Sequence, residues 1–308
     1  MPPAHLAPDV AAFYSTQSAF ADPGDLAPLY ADLPSDPAQL ARVARDLMIH
    51  RGEGATFGYA TPQDRLHNDA ETRYLDDILR IVVERNDAPL SRRRAPEDRF
   101  VGVCRDFALL HCSLLRHIGV PARLRSGFAT YFGNNGFHCD HVVTEYWDPA
   151  RGWLFADAQL TEPLIVDAWK IDFDPMDVPR DRFLVAGKAW QAIRAGEADP
   201  RAFGLHPPEE GPMFGEWFVA GNVRLDLAAL NKVETLLWDI WGTETETEAG
   251  QELTNPVREL YDQVSPVVGD EVPFAEMREL FAGHEGLRTP RTVLSLAPYN
   301  GPREVVLR

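Results

Sequence analysis

Cys104, His141 and Asp157 are the residues of this chain whose types and settings suit nucleophilic catalysis. A thiol attacks a carbonyl carbon as its thiolate, a form favoured at helix N-termini and beside an imidazolium. Phe107, Leu110, Leu114, Leu115 and Ile118 make a helical stripe that begins just after Cys104. The sulfur is therefore expected at the positive end of a helix dipole. Gly102 would allow a tight backbone entry and a close approach by substrate. Cys104 alone says little, because an unpaired cysteine is more often a small buried hydrophobe.

A hairpin adds the other two groups. Asp148-Pro149-Ala150-Arg151-Gly152 is turn-rich and lies between two strand-like runs, His141–Trp147 and Trp153–Gln159. If Trp147 pairs with Trp153, the register brings Val143 opposite Asp157 and His141 opposite Gln159. His141, Val143, Trp153 and Asp157 then share one face, and His141 and Asp157 are diagonal neighbours. A helix bearing Cys104 packed on that face would complete a triad. In it the cysteine attacks, the histidine takes and returns the proton, and the aspartate holds the imidazole.

The elements that must position these groups can be read more coarsely. Residues 1–99 are expected to be a helical N-terminal region. One helix starts at the N-cap Asp36 and Pro37, and a second runs through Tyr74, Leu75, Ile78, Leu79 and Val82. The loop Arg92-Arg93-Arg94 reads as solvated, or else as a substrate anchor. Residues 100–165 are the expected catalytic core, with strands at Ala122–Phe132, His141–Trp147 and Trp153–Gln159. Gly119 and Pro121 close the cysteine helix. Residues 166–308 read as a loop-rich and then helical C-terminal extension. Between 161 and 223 the only convincing helix is Lys188–Arg194, and Glu216–Ala220 reads as a strand. Further helices are expected through Leu227, Leu230, Val233, Leu237 and Trp241, near Leu260, and over Met277–Phe281. Thr243–Glu248 reads as an exposed loop, and Val305-Val306-Leu307 as a strand.

At these residues the sequence resembles the transglutaminase-like superfamily of papain-type folds. Gly102-Val103-Cys104-Arg105-Asp106-Phe107-Ala108 is similar to its nucleophile segment, and Leu115–Arg123 to its helix exit. Asp140–Trp147 resembles its histidine strand and Gly152–Asp157 its aspartate strand. The resemblance implies an α+β fold, with the cysteine helix packed on an antiparallel sheet. It also implies Cys104 as nucleophile, His141 as base and Asp157 as orienter. The activity implied is that of a cysteine-dependent amide hydrolase or acyltransferase working through a thioester on a peptide or small-molecule amide or acyl substrate. Val103 and Arg105 stand where the animal cross-linking enzymes have Gln and Trp. No acidic loop has calcium-ligand spacing.

Composition narrows the classes. The 308 residues are 45% hydrophobic and 25% charged, as in ordinary globular chains. A net charge of −17 argues against a nucleic-acid surface and against binding anionic lipid. No signal peptide or membrane span is legible, and three cysteines make no even disulfide framework. A reducing cytoplasm is the expected location, with no cofactor, metal, nucleic acid or membrane partner; the oligomeric state is not encoded legibly. His138, Cys139 and His141, with Cys104 or Cys112, match no standard zinc spacing. Cys112 reads as structural; Glu145 as solvated or paired, or else as a substrate contact; and Trp238, Asp239 and Trp241 as packing a helix end rather than capping the site. The oxyanion hole would use the Cys104 N–H, with His67, Asn68 or Tyr59 as side-chain candidates. The competing reading is a non-catalytic transglutaminase-like binding or scaffold module.

Overall fold

The fold, seen in a computed structural model that describes residues 5–133, 135–242 and 251–308, mixes helix and sheet. In chain order the elements are α1 (Pro8–Ser15), α2 (Pro37–Leu47), β1 (Met48–His50), α3 (Gln63–Asn68), α4 (Leu75–Arg85), β2 (Phe100–Gly102) and α5 (Cys104–His117). Then come β3 (Ala122–Ala129), β4 (His138–Asp148), β5 (Gly152–Ala156), α6 (Pro163–Trp169), β6 (Phe183–Val185), α7 (Ala186–Arg194) and β7 (Phe203–Gly204). The chain ends with α8 (Glu216–Leu230), β8 (Asp239–Ile240), α9 (Asn255–Val264), α10 (Phe274–Gly283), β9 (Thr292–Ala297) and β10 (Gly301–Val306).

One sheet runs in the order β5-β4-β3-β6, with β7 also pairing β4. A second runs β10-β9-β8, and β1 pairs with β2 in parallel. The chain divides into two compact units: residues up to Leu124 with Val143–Pro179, and Arg125–Val142 with Arg180–Arg308.

In the first unit α5 is the core element, buried at every position from Cys104 to Arg116. Thr144 of β4 donates its hydroxyl proton to the Ala108 carbonyl at 3.2 Å, seating the strand on that helix. The α2 start is as expected, with Asp36 Oδ1 accepting the Gln39 N–H at 2.9 Å. The predicted hairpin register also holds, Trp147 facing Trp153 and Thr144 facing Ala156. In the second unit Trp190 of α7, Val223 and Leu227 of α8, Tyr261 of α9 and Met277 of α10 share one hydrophobic core.

Several expectations need correction. The β3 strand ends at Ala129 rather than Phe132, and β5 ends at Ala156 rather than Gln159. The cause of the second is Asp157, whose side chain caps the short 3-10 helix Ala158–Thr161. Glu216–Ala220 is the start of α8, not a strand, and α8 stops at Leu230 rather than continuing to Trp241. Lys232, at φ 64°, turns the chain away. Between 161 and 223, α6 and the first turns of α8 join the expected α7 helix. The expected Thr243–Glu248 loop lies outside the described residues. Among the described residues no helix is long and apolar enough to cross a membrane.

Candidate active site

The start of α5 is held by its own first turn. Val103 is extended (φ −121°, ψ 176°), and the helix begins on Cys104 itself. The Val103 N–H donates to Asp106 Oδ2 at 2.9 Å, the reciprocal arm of a capping box. Arg105 donates to Asp106 Oδ1 at 3.0 Å and to the Arg73 carbonyl at 2.6 Å. Burial pushes the Asp106 carboxyl up, against the pull of Arg105. Cys104 is 6% exposed and sits at the positive end of the α5 dipole. A Cβ at Gly102 would lie 2.8 Å from Asp106 Oδ2, so the missing side chain makes room for the cap.

Asp157 lies in the same unit as Cys104. It is extended (φ −112°, ψ 98°), its N–H donates to the Pro175 carbonyl at 2.8 Å, and Oδ1 accepts the Gln159 N–H at 3.0 Å. Ladder pairing stops at Thr144–Ala156, so Gln159 is not a strand partner of His141. Phe155 faces Glu145 across the ladder, and Asp157 lies just past the end of β5. Glu145 is paired, as expected: Arg123 Nε donates to its Oε2 at 2.7 Å, with both side chains buried. The Arg123 guanidinium also lies over the Trp153 ring at 4.0 Å.

His111 was not singled out by sequence. It lies two helical turns after Cys104 and is fully buried in α5, and Nε2 donates to the Pro37 carbonyl at 3.2 Å. Burial pushes its imidazole down to about 4, although that hydrogen bond and the nearby Asp157 charge pull it up. The heptad spacing from Cys104 was the available signal. Cys112, beside it, is wholly buried, consistent with a structural role.

His141 belongs to the second unit, where it is 3% exposed. Its ring is edge-on to Phe132 at 5.0 Å, Tyr131 at 5.8 Å and Phe183 at 6.3 Å. Burial pushes the neighbouring Asp140 carboxyl up to about 6, against the His141 charge and a hydrogen bond from Asn222. Burial also pushes the Cys139 thiol up to about 11, with Asp140 and Glu210 adding to the effect. Cys139 donates to the Phe132 carbonyl at 3.3 Å, and His138 stacks on Phe203 at 4.5 Å. No group of three or more His, Cys, Asp or Glu side chains among the described residues is arranged to hold a metal ion.

The remaining candidates have local roles. His67 and Asn68 end α3, and the Tyr59 hydroxyl accepts from Arg65 at 3.3 Å. The strand beside the nucleophile segment is β1, which the sequence reading missed; His50 pairs with Gly102. Trp241 donates to the Leu287 carbonyl at 3.1 Å under the Arg224 guanidinium, and Asp239 accepts the Leu236 N–H at 3.1 Å. In the Arg92–Arg94 loop, Arg92 and Arg93 are exposed, as the solvated reading expects, and Arg94 is not. Arg94 is buried and donates to the carbonyls of Asn86, Ala88, Pro89 and Arg92, while Arg93 pairs with Glu162 at 2.8 Å.

Residues 70–158 match the family model of the transglutaminase-like superfamily. No curated protein matches the chain. Among solved structures, the chain is similar to a proposed cysteine protease from Cytophaga hutchinsonii, with 20% identity and a TM-score of 0.33. That match covers 52% of this chain and 45% of the other, less than half of its length. The family match supports a cysteine enzyme in general and leaves the reaction and substrate open.

Proposed function

We propose that the protein is a cysteine-nucleophile enzyme acting on an amide or related acyl group. Cys104 attacks the acyl carbon, His141 takes the thiol proton and returns it to the leaving amine, and Asp157 holds the imidazole. The C–N bond breaks as the C–S bond forms, leaving a thioester on Cys104. Water then attacks the thioester carbon with His141 as base, releasing the acid and restoring the thiol. Transfer to an amine is the alternative outcome and needs a site that keeps water out.

The observation that carries this reading is the placement of Cys104 as the first residue of α5, inside the segment that matches the transglutaminase-like model. The Asp106 carboxyl accepts the Val103 N–H and so fixes the start of the helix that carries this sulfur. Cys104, Cys112 and Cys139 are all thiols, which supports a reducing cytoplasm as the working compartment.

The test is a panel of acyl electrophiles of varied side chain, followed by mass analysis of the labelled peptide. An adduct on Cys104 that fails to form in His141→Ala supports the mechanism. Turnover of a substrate found in this way should vanish in Cys104→Ala and nearly so in His141→Ala, because such residues act as a unit. Turnover persisting in Cys104→Ala would remove Cys104 as nucleophile. A folded protein in which no electrophile labels Cys104 would favour the binding-module reading.

A further inference from the structure

Within the first unit, a buried polar chain that the proposed chemistry does not use runs between the segments carrying Cys104 and Asp157. Gln159, whose N–H is held by Asp157 Oδ1, donates from Nε2 to Glu53 Oε1 at 2.6 Å. The other oxygen, Glu53 Oε2, accepts from Arg45 Nη1 at 2.8 Å and from the His50 N–H at 3.2 Å. His50 ends β1 and pairs with Gly102, and the adjacent Arg51 N–H donates to the Gly102 carbonyl at 2.9 Å. Gly102 is the second residue before Cys104. Glu53, Arg45, Gln159 and Asp157 are all buried.

A fully packed apolar side chain at Glu53 would cost less to bury, since each buried ion loses several kcal/mol of solvation that its partner only partly returns. A carboxylate here has two oxygens, each with its own directional partner. One oxygen holds the turn after Asp157 and the other holds the end of β1. The Arg45 guanidinium supplies the countercharge from between the Phe57 and Phe107 rings, 4.9 and 5.3 Å from their centroids. A short bond to an ionised acceptor is the strong, geometry-fixing kind.

We infer that Glu53 is a positioning residue for the proposed triad, fixing through Gln159 the turn that aims Asp157 and through His50 the strand that delivers Cys104. The inference rests on the function proposed above. Gln159→Leu removes the bond to Glu53 without leaving a buried charge unpaired, and Glu53→Gln keeps the shape as a second variant.

The readout is the ratio of the Cys104 alkylation rate at about pH 6 to that at about pH 8.5, which reports how much thiolate survives at the lower pH. Loss of global stability alone does not move this ratio in protein that remains folded. Gln159→Leu is expected to lower the ratio about threefold, Asp157→Asn to lower it further, and the double variant to match Asp157→Asn alone. Glu53→Gln should follow Gln159→Leu. A ratio that responds to His141→Ala and Asp157→Asn but to neither Gln159→Leu nor Glu53→Gln overturns the positioning role alone. Additive effects in the double variant overturn it too, because Gln159 would not be acting through Asp157. A ratio indifferent to His141→Ala overturns the triad, and this inference falls with it.

Discussion

His111 gives the clearest quantitative consequence of how α5 is buried. Its imidazole falls from 6.5 to about 4 because the helix interior disfavours the charged ring. Below pH 6.5 the unfolded chain therefore binds a proton that the folded chain refuses, and stability falls as pH falls through that window. The gap of about 2.5 units corresponds to about 3 kcal/mol at full development, of which about 2.5 kcal/mol is lost by pH 4.5. His111→Gln keeps an N–H for the Pro37 carbonyl and does not titrate. Urea denaturation of both proteins should give similar midpoints near pH 7.5, with the wild type falling behind by about 2.5 kcal/mol at pH 4.5. A difference between the two proteins that stays constant with pH would refute the reasoning. His111 would then be either solvated or already charged.

Asp140 should show the opposite sign. Its buried carboxyl titrates near 6 rather than 3.8, so ionising it costs the folded state about 3 kcal/mol above pH 6 and nothing below pH 4. Asp140→Asn should therefore gain stability at pH 7 relative to pH 4, read from denaturant midpoints at the two values. Removing one partner of the buried Arg123–Glu145 pair leaves an uncompensated charge, so Glu145→Leu should cost about 3–5 kcal/mol. The double change with Arg123→Met should recover much of that loss. Asp36→Ala removes the α2 cap and should cost about 1 kcal/mol in thermal or chemical unfolding.

The parts legible in the sequence are those fixed by neighbours along the chain. The β4–β5 hairpin could be placed in register because Asp148 Oδ1 accepts the N–H of Ala150 and Arg151, and Gly152 takes φ 88°. Alternation along both strands does the rest. The start of α5 at Cys104 and the hairpin carrying His141 were legible because a helix start and a hairpin are local patterns. The α8 boundaries failed for a related reason: Asn222 to Leu230 are all buried, so this helix has no polar stripe to set its phase. The short parallel β1–β2 pair was invisible, because its partners are far apart in sequence and three residues long. Asp157 ended its strand early because its side chain competes for the next turn's backbone. Glu53 owes its place to packing between distant segments, which spacing alone does not reveal.

The central claim is that Cys104 is an activated thiol that depends on His141. Iodoacetamide labelling near neutral pH, with each cysteine followed separately by peptide mass, tests it most directly. Cys104 should be alkylated well ahead of Cys112 and Cys139, His141→Ala should abolish that lead, and Asp157→Asn should only reduce it. Labelling of Cys104 that is no faster than that of Cys139, or that is unchanged in His141→Ala, would contradict the account.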